Sequence, residues 1–347
     1  MPGAENAQFI AAMLEAMPDA AIAIAEEAHT IAANARALQI WPRLAPGDFL
    51  GLALRTPDVL EAAARVLATG ESQSVEWREL VPVERAFEAH AARLLISDTP
   101  LALIVIKDIS ETRRMERMRV DFVANASHEL RTPLASILGF IETLQGPARN
   151  DTAAREKFLV IMRDQARRMA RLVDDLLSLS RIEQHLHVQP QDRVDLVEVA
   201  RHVADTLSPL AREYGVALRI NAPSPAIIAG DRDELLRVAE NLIENAIKYG
   251  SEGAGPAPAV DIVVTSGAKE AVLSVRDYGH GIDQEHLPRL TERFYRVDTP
   301  ASRTKGGTGL GLAIVKHIVA RHRGSLKISS TRGEGAEFCV MIPVIKS

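Results

Sequence analysis

Cysteine is nearly missing from this chain: one residue, Cys339, in 347. A single thiol excludes an intramolecular disulfide framework, and its place in the apolar run Phe338–Ile342 marks it as a small buried hydrophobe. Long apolar runs are missing too, and no stretch approaches the ~20 residues that a membrane-crossing helix requires. The N-terminus has no basic segment leading into an apolar core, and Met1-Pro2 is not a myristoylation start. These absences give the expectation of a cytoplasmic protein with no membrane-spanning segment. A large excess of one charge is missing as well, with 41 Lys and Arg against 46 Asp and Glu. A formal net charge of −5 gives no electrostatic reason to expect a nucleic acid partner. What is present is apolar material for packed cores, 47% of residues, in a length that suggests two or three domains.

Residues 1–110 read as a small mixed α/β domain. Apolar runs at Ala21–Ala25 and Thr30–Ala32 flank an acidic turn at Glu26-Glu27, and a helix start follows near Asn34. Thr56-Pro57-Asp58 is a helix opening, and that helix runs through Leu60, Ala64 and Leu67 to stop at Gly70. Strands are expected at Val75–Val83, Ala91–Ile96 and Leu101–Ile106, with a turn at Asp98-Thr99-Pro100. His29 and His90 receive no role.

Residues 111–183 carry two long helical patterns. In Met115–Leu144, apolar Met118, Phe122, Ala126, Leu130, Leu134, Ile137 and Ile141 recur at steps of three and four. In Ala153–Ile182, Phe158, Ile161, Met162, Met169, Leu172, Leu176 and Leu179 do the same. The turn Gln145–Thr152 joins them into an antiparallel hairpin. One hairpin cannot bury both apolar stripes, so two are expected to pair as a four-helix bundle, a homodimer. Packing on a neighbouring domain is the alternative.

The first of these helices contains Phe122–Leu134, reading FVANASHELRTPL. Asn125, Arg131 and Thr132 share a helix face with His128. Pro133 removes one backbone donor and predicts a bend. A neutral imidazole is available as a nucleophile near pH 7. Glu129 offers a carboxylate to hold one ring nitrogen, and Thr132 a hydroxyl to orient a water. A surface histidine on a proline-bent helix is the plainer reading of that string taken alone.

Gln184–Asp192 is a polar linker whose His185 and His187 lack further metal-ligand partners. Residues 193–347 alternate helix and strand patterns. Helices fall at Leu196–Arg212, Arg232–Tyr249 and Leu310–His322; strands fall at Val216–Ile220, Val260–Thr265, Ala271–Arg276, Leu326–Ser329 and Ala336–Ile342. This predicts a layered α/β sandwich with helices on one face of a mixed sheet. Three stretches there carry chemistry. On the helix Asn241–Tyr249, the residues Asn241, Asn245 and Lys248 or Tyr249 share a face. An amide oxygen suits Mg²⁺ and an ammonium suits phosphate. In Asp277–Ile282 (DYGHGI), Gly279 and Gly281 admit a flat ligand, and the Asp277 carboxylate accepts from an exocyclic amine, favouring adenine over guanine. In Gly306–Leu312 (GGTGLGL), glycines ahead of a helix start expose N–H groups to phosphate. The polar segment Arg293–Lys305 between the last two reads as a lid.

The string around His128 resembles the histidine box of the sensor histidine kinases of two-component signalling. The three C-terminal stretches and the lid, in this order, resemble the four boxes of that family's Bergerat-type ATP-binding domain. The resemblance covers about Met115–Pro343, and His286–Asp298 is most similar to the phosphate-regulon sensor kinases. Leu290-Thr291 departs from the Ile-Phe pair of many members, and many members carry a membrane anchor. Residues 1–110, ending in a strand followed by Lys107-Asp108-Ile109-Ser110, are similar to PAS sensor domains. The resemblance implies a multidomain α+β protein: a PAS-like domain over 1–110, a dimerisation and phosphoacceptor hairpin over 111–183 and an ATP-binding domain over 193–347.

By the same resemblance His128 is the phosphoacceptor, Glu129 the base or ring orienter, and Thr132 the residue assisting dephosphorylation. Asn245 holds Mg²⁺, Asn241 and Lys248 contact phosphates, Tyr249 stacks on adenine, Asp277 reads its amine and Arg296 reaches phosphate. Gly279, Gly281, Ile282, Tyr295, Lys305, Gly307, Thr308, Gly309, Leu310 and Gly311 complete the ATP site. The implied reaction moves a phosphoryl group from ATP to His128 and then to an aspartate of a response regulator. A protein acting mainly as a phosphatase on that regulator is the alternative, ahead of an ATP-driven clamp or a silent scaffold.

Overall fold

A computed structural model describes residues 4–80, 84–96, 99–251, 258–297 and 307–345, and the chain divides into two units after Val123. In the first unit, strand β1 (Ala20–Ile24) is apolar at every position because both of its faces are covered. With β2 (Thr30–Ala33), β3 (Gln73–Glu79), β4 (Arg85–Ile96) and β5 (Thr99–Asp108) it forms an antiparallel sheet ordered β2-β1-β5-β4-β3. Helix α1 (Ala4–Glu15) covers one face, setting Ile10 and Leu14 on Ala21, Ala23 and Leu101. Helices α2 (Ala35–Ile40) and α3 (Pro57–Thr69) cover the other. That core holds Ile22, Ile104, Val66 and the rings of Trp41, Trp77 and Phe87, whose centroids lie 5.3 to 6.5 Å apart. Helix α3 stops at Gly70 in the left-handed conformation, as its position predicts.

Asn34 holds this unit together at the point where the sequence suggests a helix start. Its Oδ1 accepts from the N–H groups of Ala21 and Ala37, both at 3.0 Å. Its Nδ2 donates to the carbonyls of Leu14 (3.1 Å) and Asp19 (2.8 Å). One buried amide thus serves α1, β1 and α2. Asn34→Ala leaves these groups unpaired and is expected to lower unfolding free energy by about 2–4 kcal/mol. Trp41 and Trp77, the chain's two tryptophans, report this unit's unfolding by fluorescence in urea. A midpoint unchanged from the parent chain rejects the assignment.

Three elements here differ from the sequence reading. Helix α1 is absent from the sequence reading; its large apolar residues Phe9, Ile10, Met13 and Leu14 span less than two turns. The strand expected at Val75–Val83 ends at Glu79, and 81–83 lie outside the described residues. Strand β4 begins at Arg85 instead of Ala91; of its inward positions Phe87, Ala89 and Ala91, only the first is large, so the alternation is weak.

Helix α4 (Ser110–Gln145) runs unbroken through Pro133, where a bend is predicted. Its first turns are tied to the sheet edge: Arg113 pairs with Glu76, Arg117 with Glu84, and the Ser110 hydroxyl accepts from the Ala86 N–H at 2.9 Å. In the second unit, α5 (Thr152–Gln184) opens with the Asp151 side chain capping the Ala154 N–H. The α4–α5 hairpin is fastened by stacked Phe140 and Phe158, 4.9 Å between centroids.

The C-terminal domain is the expected sandwich. Strands β7 (Ala217–Asn221), β9 (Ala259–Ser266), β10 (Glu270–Asp277), β11 (Ser325–Thr331) and β12 (Gly335–Pro343) form a mixed sheet ordered β11-β12-β10-β9-β7, with β7 and β9 parallel. Helices α6 (Leu196–Glu213), α7 (Arg232–Gly250) and α8 (Gly311–Arg321) pack on one of its faces. The apolar faces meet through Leu242, Ile243, Ala246, Ile262, Val264, Leu273, Ile314 and Val340, all essentially buried. The short strands β6 (Arg193–Asp195) and β8 (Ile227–Ala229), absent from the sequence reading, pair beside α6.

The entry of α7 is set by His322, at the C-terminus of α8 and fully buried. Its Nε2 accepts the Asp231 N–H at 3.0 Å and its Nδ1 donates to the Ile318 carbonyl at 2.8 Å. Both nitrogens are committed in the neutral ring, and burial pushes its pKa below the ordinary value. Asp231, Glu234 and Arg321 face it, with Arg321 paired to Glu234. The unfolded ring gains its proton below about pH 6.5 while the folded ring resists. Stability from this group is therefore complete above that pH and declines as pH falls through it. Calorimetry from about pH 7.5 down to about pH 5.5 should show a smaller Tm loss in His322→Gln than in the parent. Equal losses reject the role.

Candidate nucleotide-binding site

A cleft of about 1020 Å³ opens between α7, the loop after β10 and the segment leading into α8. Helix α7 places Asn241, Asn245, Lys248 and Tyr249 on its wall, on the face opposite the buried Leu242, Ile243, Ala246 and Ile247. The loop after β10 contributes Asp277, Gly281 and Ile282. Tyr295 and Arg296 come from the lid, and Gly307, Thr308, Gly309 and Gly311 from the start of α8. The separate stretches of the sequence reading therefore line one space.

The details refine several assignments. Asp277 is 4% exposed at the end of β10, and its Oδ1 accepts the Gly279 N–H at 2.9 Å. Gly279 itself is not on the cleft wall; a Cβ there would run into the Tyr249 carbonyl, so the residue backs the wall instead. Gly281 adopts φ +68° with the Thr331 carbonyl where a side chain would be, and the next N–H, of Ile282, donates to Ser330 Oγ at 2.8 Å. Leu310 is also not on the wall: its side chain is buried in the core, and its N–H donates to Thr308 Oγ1. Lys305 lies outside the described residues, as does most of the expected lid.

Two polar residues on α7 are already engaged. Lys248 Nζ lies 2.6 Å from Glu244 Oε1, so its ammonium is oriented by a neighbouring carboxylate. Asn241 donates Nδ2 to the Arg237 carbonyl at 2.8 Å, and its Oδ1 sits where Gly311 would carry a side chain. Asn241 thus also packs α7 against α8. Tyr295 is held by the His286 ring at 2.8 Å from its hydroxyl and by the Arg289 guanidinium 4.2 Å from its ring centroid.

On the hairpin, His128 is exposed on α4 and is not part of the cleft wall. The sequence reading sets the Glu129 carboxylate against its ring. In the structure Glu129 Oε2 instead accepts from Arg168 Nη2 of α5 at 2.9 Å. Helix geometry is the reason: adjacent residues point about 100° apart and do not face each other. Thr132, one turn on, donates its hydroxyl to the His128 carbonyl at 3.3 Å.

The sequence reading misses Arg237 and Asp175, which both line the cleft. Arg237 belongs to no motif, and Asp175 sits in the polar part of a helix whose pattern indicates only hairpin formation.

An α/β sandwich with such a cleft, beside a helical hairpin bearing an exposed histidine, defines an ATPase-type domain coupled to a phosphoacceptor domain. Residues 230–346 match the family described as histidine kinase-, DNA gyrase B-, and HSP90-like ATPase, and residues 118–185 match the His Kinase A (phospho-acceptor) domain. The first match assigns ATP binding to the C-terminal domain. The chain is 34% identical over 288 residues to the sensor-like histidine kinase SenX3 of Mycolicibacterium smegmatis, covering 82% of this chain and 74% of that protein. It is 39% identical over 238 residues to the phosphate regulon sensor protein PhoR of Pseudomonas aeruginosa, covering 68% and 52%. The chain thus spans about half the length of that relative. The chain belongs to the sensor histidine kinase family. The solved complex of histidine kinase ThkA with response regulator protein TrrA aligns over 96% of this chain and 98% of that one, with TM-score 0.51 and 19% identity, a likeness of fold.

Proposed function

We propose that this chain transfers the terminal phosphoryl group of ATP to His128 and then to an aspartate of a response regulator. The observation that carries this reading is a solvent-exposed imidazole on a helical hairpin, in one folded unit with a cleft lined by Asn245, Lys248 and Asp277. The division into residues 1–110, 111–183 and 193–347 assigns sensing, phosphoacceptance and ATP binding in turn. A loose phosphoryl-transfer transition state leaves the protein mainly positioning and charge stabilisation to supply. His128 provides the lone pair, and Lys248 and Arg296 provide positive charge at the cleft. The Asn245 amide oxygen, on the cleft wall, is a hard donor that fits Mg²⁺. Among the described residues no cluster of three or more His, Cys, Asp or Glu could hold a metal alone. The remaining positions on Mg²⁺ therefore fall to phosphate oxygens and water. When bound, Mg²⁺ neutralises the charge of the triphosphate. The direct test is incubation with γ-labelled ATP, which should leave acid-labile, base-stable phosphate on the chain.

The hairpin supports a homodimer. Leu134, Leu138, Leu159, Val160, Val173 and Leu177 are each 42–53% exposed in the single chain, which a second hairpin would cover. Light scattering on the purified chain should give twice the monomer mass of 37.8 kDa. The first unit supports a PAS-type sensor, because its last strand, β5, runs directly into α4. The Arg113–Glu76 and Arg117–Glu84 pairs then tie sheet movements to that helix.

Thr132 is exposed one turn from His128, which favours dephosphorylation of the regulator as a second activity. Thr132→Ala should leave autophosphorylation within about twofold while slowing dephosphorylation by at least ~tenfold, by release of phosphate from labelled regulator. Equal slowing of both reactions rejects a specific role. No helix among the described residues is long and apolar enough to cross a membrane.

A further inference from the structure

One end of the nucleotide cleft is built with the wrong charge for a triphosphate. Where it is formed by α5 and the first half of α7, its wall carries Asp174, Asp175, Asp233 and Glu240, with Arg171 and Arg237 as the cations. Asp175 comes from hairpin helix α5 and reaches into the ATP-binding domain. Its Oδ1 accepts from Arg237 Nη2 at 2.8 Å, and its Oδ2 accepts from Thr308 Oγ1 at 2.9 Å. The pair is partly buried, with 19% of the Asp175 side chain and 28% of the Arg237 side chain exposed. Bulk solvent therefore screens it less than a surface pair.

This arrangement is that of an occupied oxyanion seat. A guanidinium and a hydroxyl converge on two oxygens of one anion. Thr308 stands in the glycine-flanked segment just ahead of α8, where exposed N–H groups and the helix dipole favour phosphate. A phosphate group presents the same two-oxygen edge as a carboxylate and carries more charge. Among the described residues of α7, Arg237 and Lys248 are the cations that line the cleft, and Lys248, about three turns along, is paired with Glu244.

We propose that Arg237 and Thr308 form the seat for the terminal phosphate of ATP, and that Asp175 fills this seat until the triphosphate displaces it. The inference rests on the reading of the cleft as an ATP site. Like charge keeps Asp175 and the terminal phosphate from sharing the seat, so the latched chain binds ATP less tightly than an unlatched one. ADP ends one phosphate short and leaves the latch closed. The hairpin thereby distinguishes the two nucleotides, and only ATP frees α5 at Asp175. Other contacts between α5 and the domain persist: Glu183 pairs with Arg293, and Leu179 and Ile182 stay buried. Loss of Asp175 therefore leaves the packing in place.

The test is calorimetric titration of the full chain with Mg²⁺ and either the non-hydrolysable analogue AMP-PNP or ADP. Asp175→Ala should tighten AMP-PNP about tenfold, equivalent to about 1.4 kcal/mol, and ADP less than about twofold. Arg237→Ala and the isosteric Thr308→Val should each weaken AMP-PNP several-fold more than ADP. Hydrogen exchange in the unaltered chain should rise around Asp175 with AMP-PNP and stay unchanged with ADP. Equal shifts for both nucleotides, or none in Asp175→Ala, overturn the seat while leaving the ATP site intact. Failure of the unaltered chain to bind either nucleotide overturns the ATP reading, and the seat with it.

Discussion

A chain carrying His128→Gln is expected to incorporate no acid-labile phosphate from labelled ATP and to bind ADP with unchanged affinity. Glutamine keeps the length and a polar end but has no lone pair basic enough to attack phosphorus. The two halves of this expectation follow from placement. His128 is exposed on α4, away from the cleft wall, so its loss removes an acceptor without touching the nucleotide contacts. The signal should drop by at least ~10³-fold, to background, because no neighbouring group shares the role. Phosphoamino-acid analysis of the parent chain and a parallel titration with ADP check both halves. Persisting acid-labile phosphate in the variant would falsify the acceptor assignment. A parallel loss of ADP binding would show that the substitution had damaged the fold.

The second large effect is expected at Asp277. Asp277→Asn should weaken ADP by about 30- to 100-fold, or about 2–3 kcal/mol. Two consequences add here. The carboxylate that would accept from the adenine amine becomes an amide, whose donor end meets another donor if it turns the wrong way. The same carboxylate orders the following loop through the Gly279 N–H, at 4% exposure, where water cannot substitute. Titration with ADP measures the effect free of turnover, and a melting curve separates lost binding from lost folding. A change below threefold at unchanged Tm argues that Asp277 only braces the loop. Gly281→Ala is a companion variant with another cause: φ +68° and the Thr331 carbonyl leave no room for a side chain.

The mechanism divides labour between a rigid scaffold and a displaceable contact. Helix α7 is fixed from both ends of its apolar face, and His322 pins its first turn, so the side chains facing the cleft project from an ordered support. The contacts that Asp175 of α5 makes with Arg237 and Thr308 are polar. They can be exchanged for a ligand without exposing a core. That is the physical basis for expecting the two nucleotides to act differently on the hairpin.

Local patterns revealed the main elements of both units. The three- and four-residue spacing gave both hairpin helices to within a few residues. The face shared by Asn241, Asn245 and Lys248, the Asp277–Ile282 turn and the glycines before α8 each contribute to the cleft wall. Short strands β6 and β8 escaped because three residues each are too few to show a period, and helix α1 because its large side chains span less than two turns. The Glu129–Arg168 pair escaped because the partner lies on another helix.

What the sequence by itself determined is the set of elements and the chemistry each could offer, since periodicity, turn residues and motif spacing are properties of neighbours along the chain. What only the tertiary structure decided is which of those groups meet. It turned Glu129 toward Arg168, set Asn241 against Gly311 and placed Asp175 between Arg237 and Thr308. Such meetings are fixed by the packing of whole faces, and residues 133 positions apart carry no local signal of where that packing will bring them.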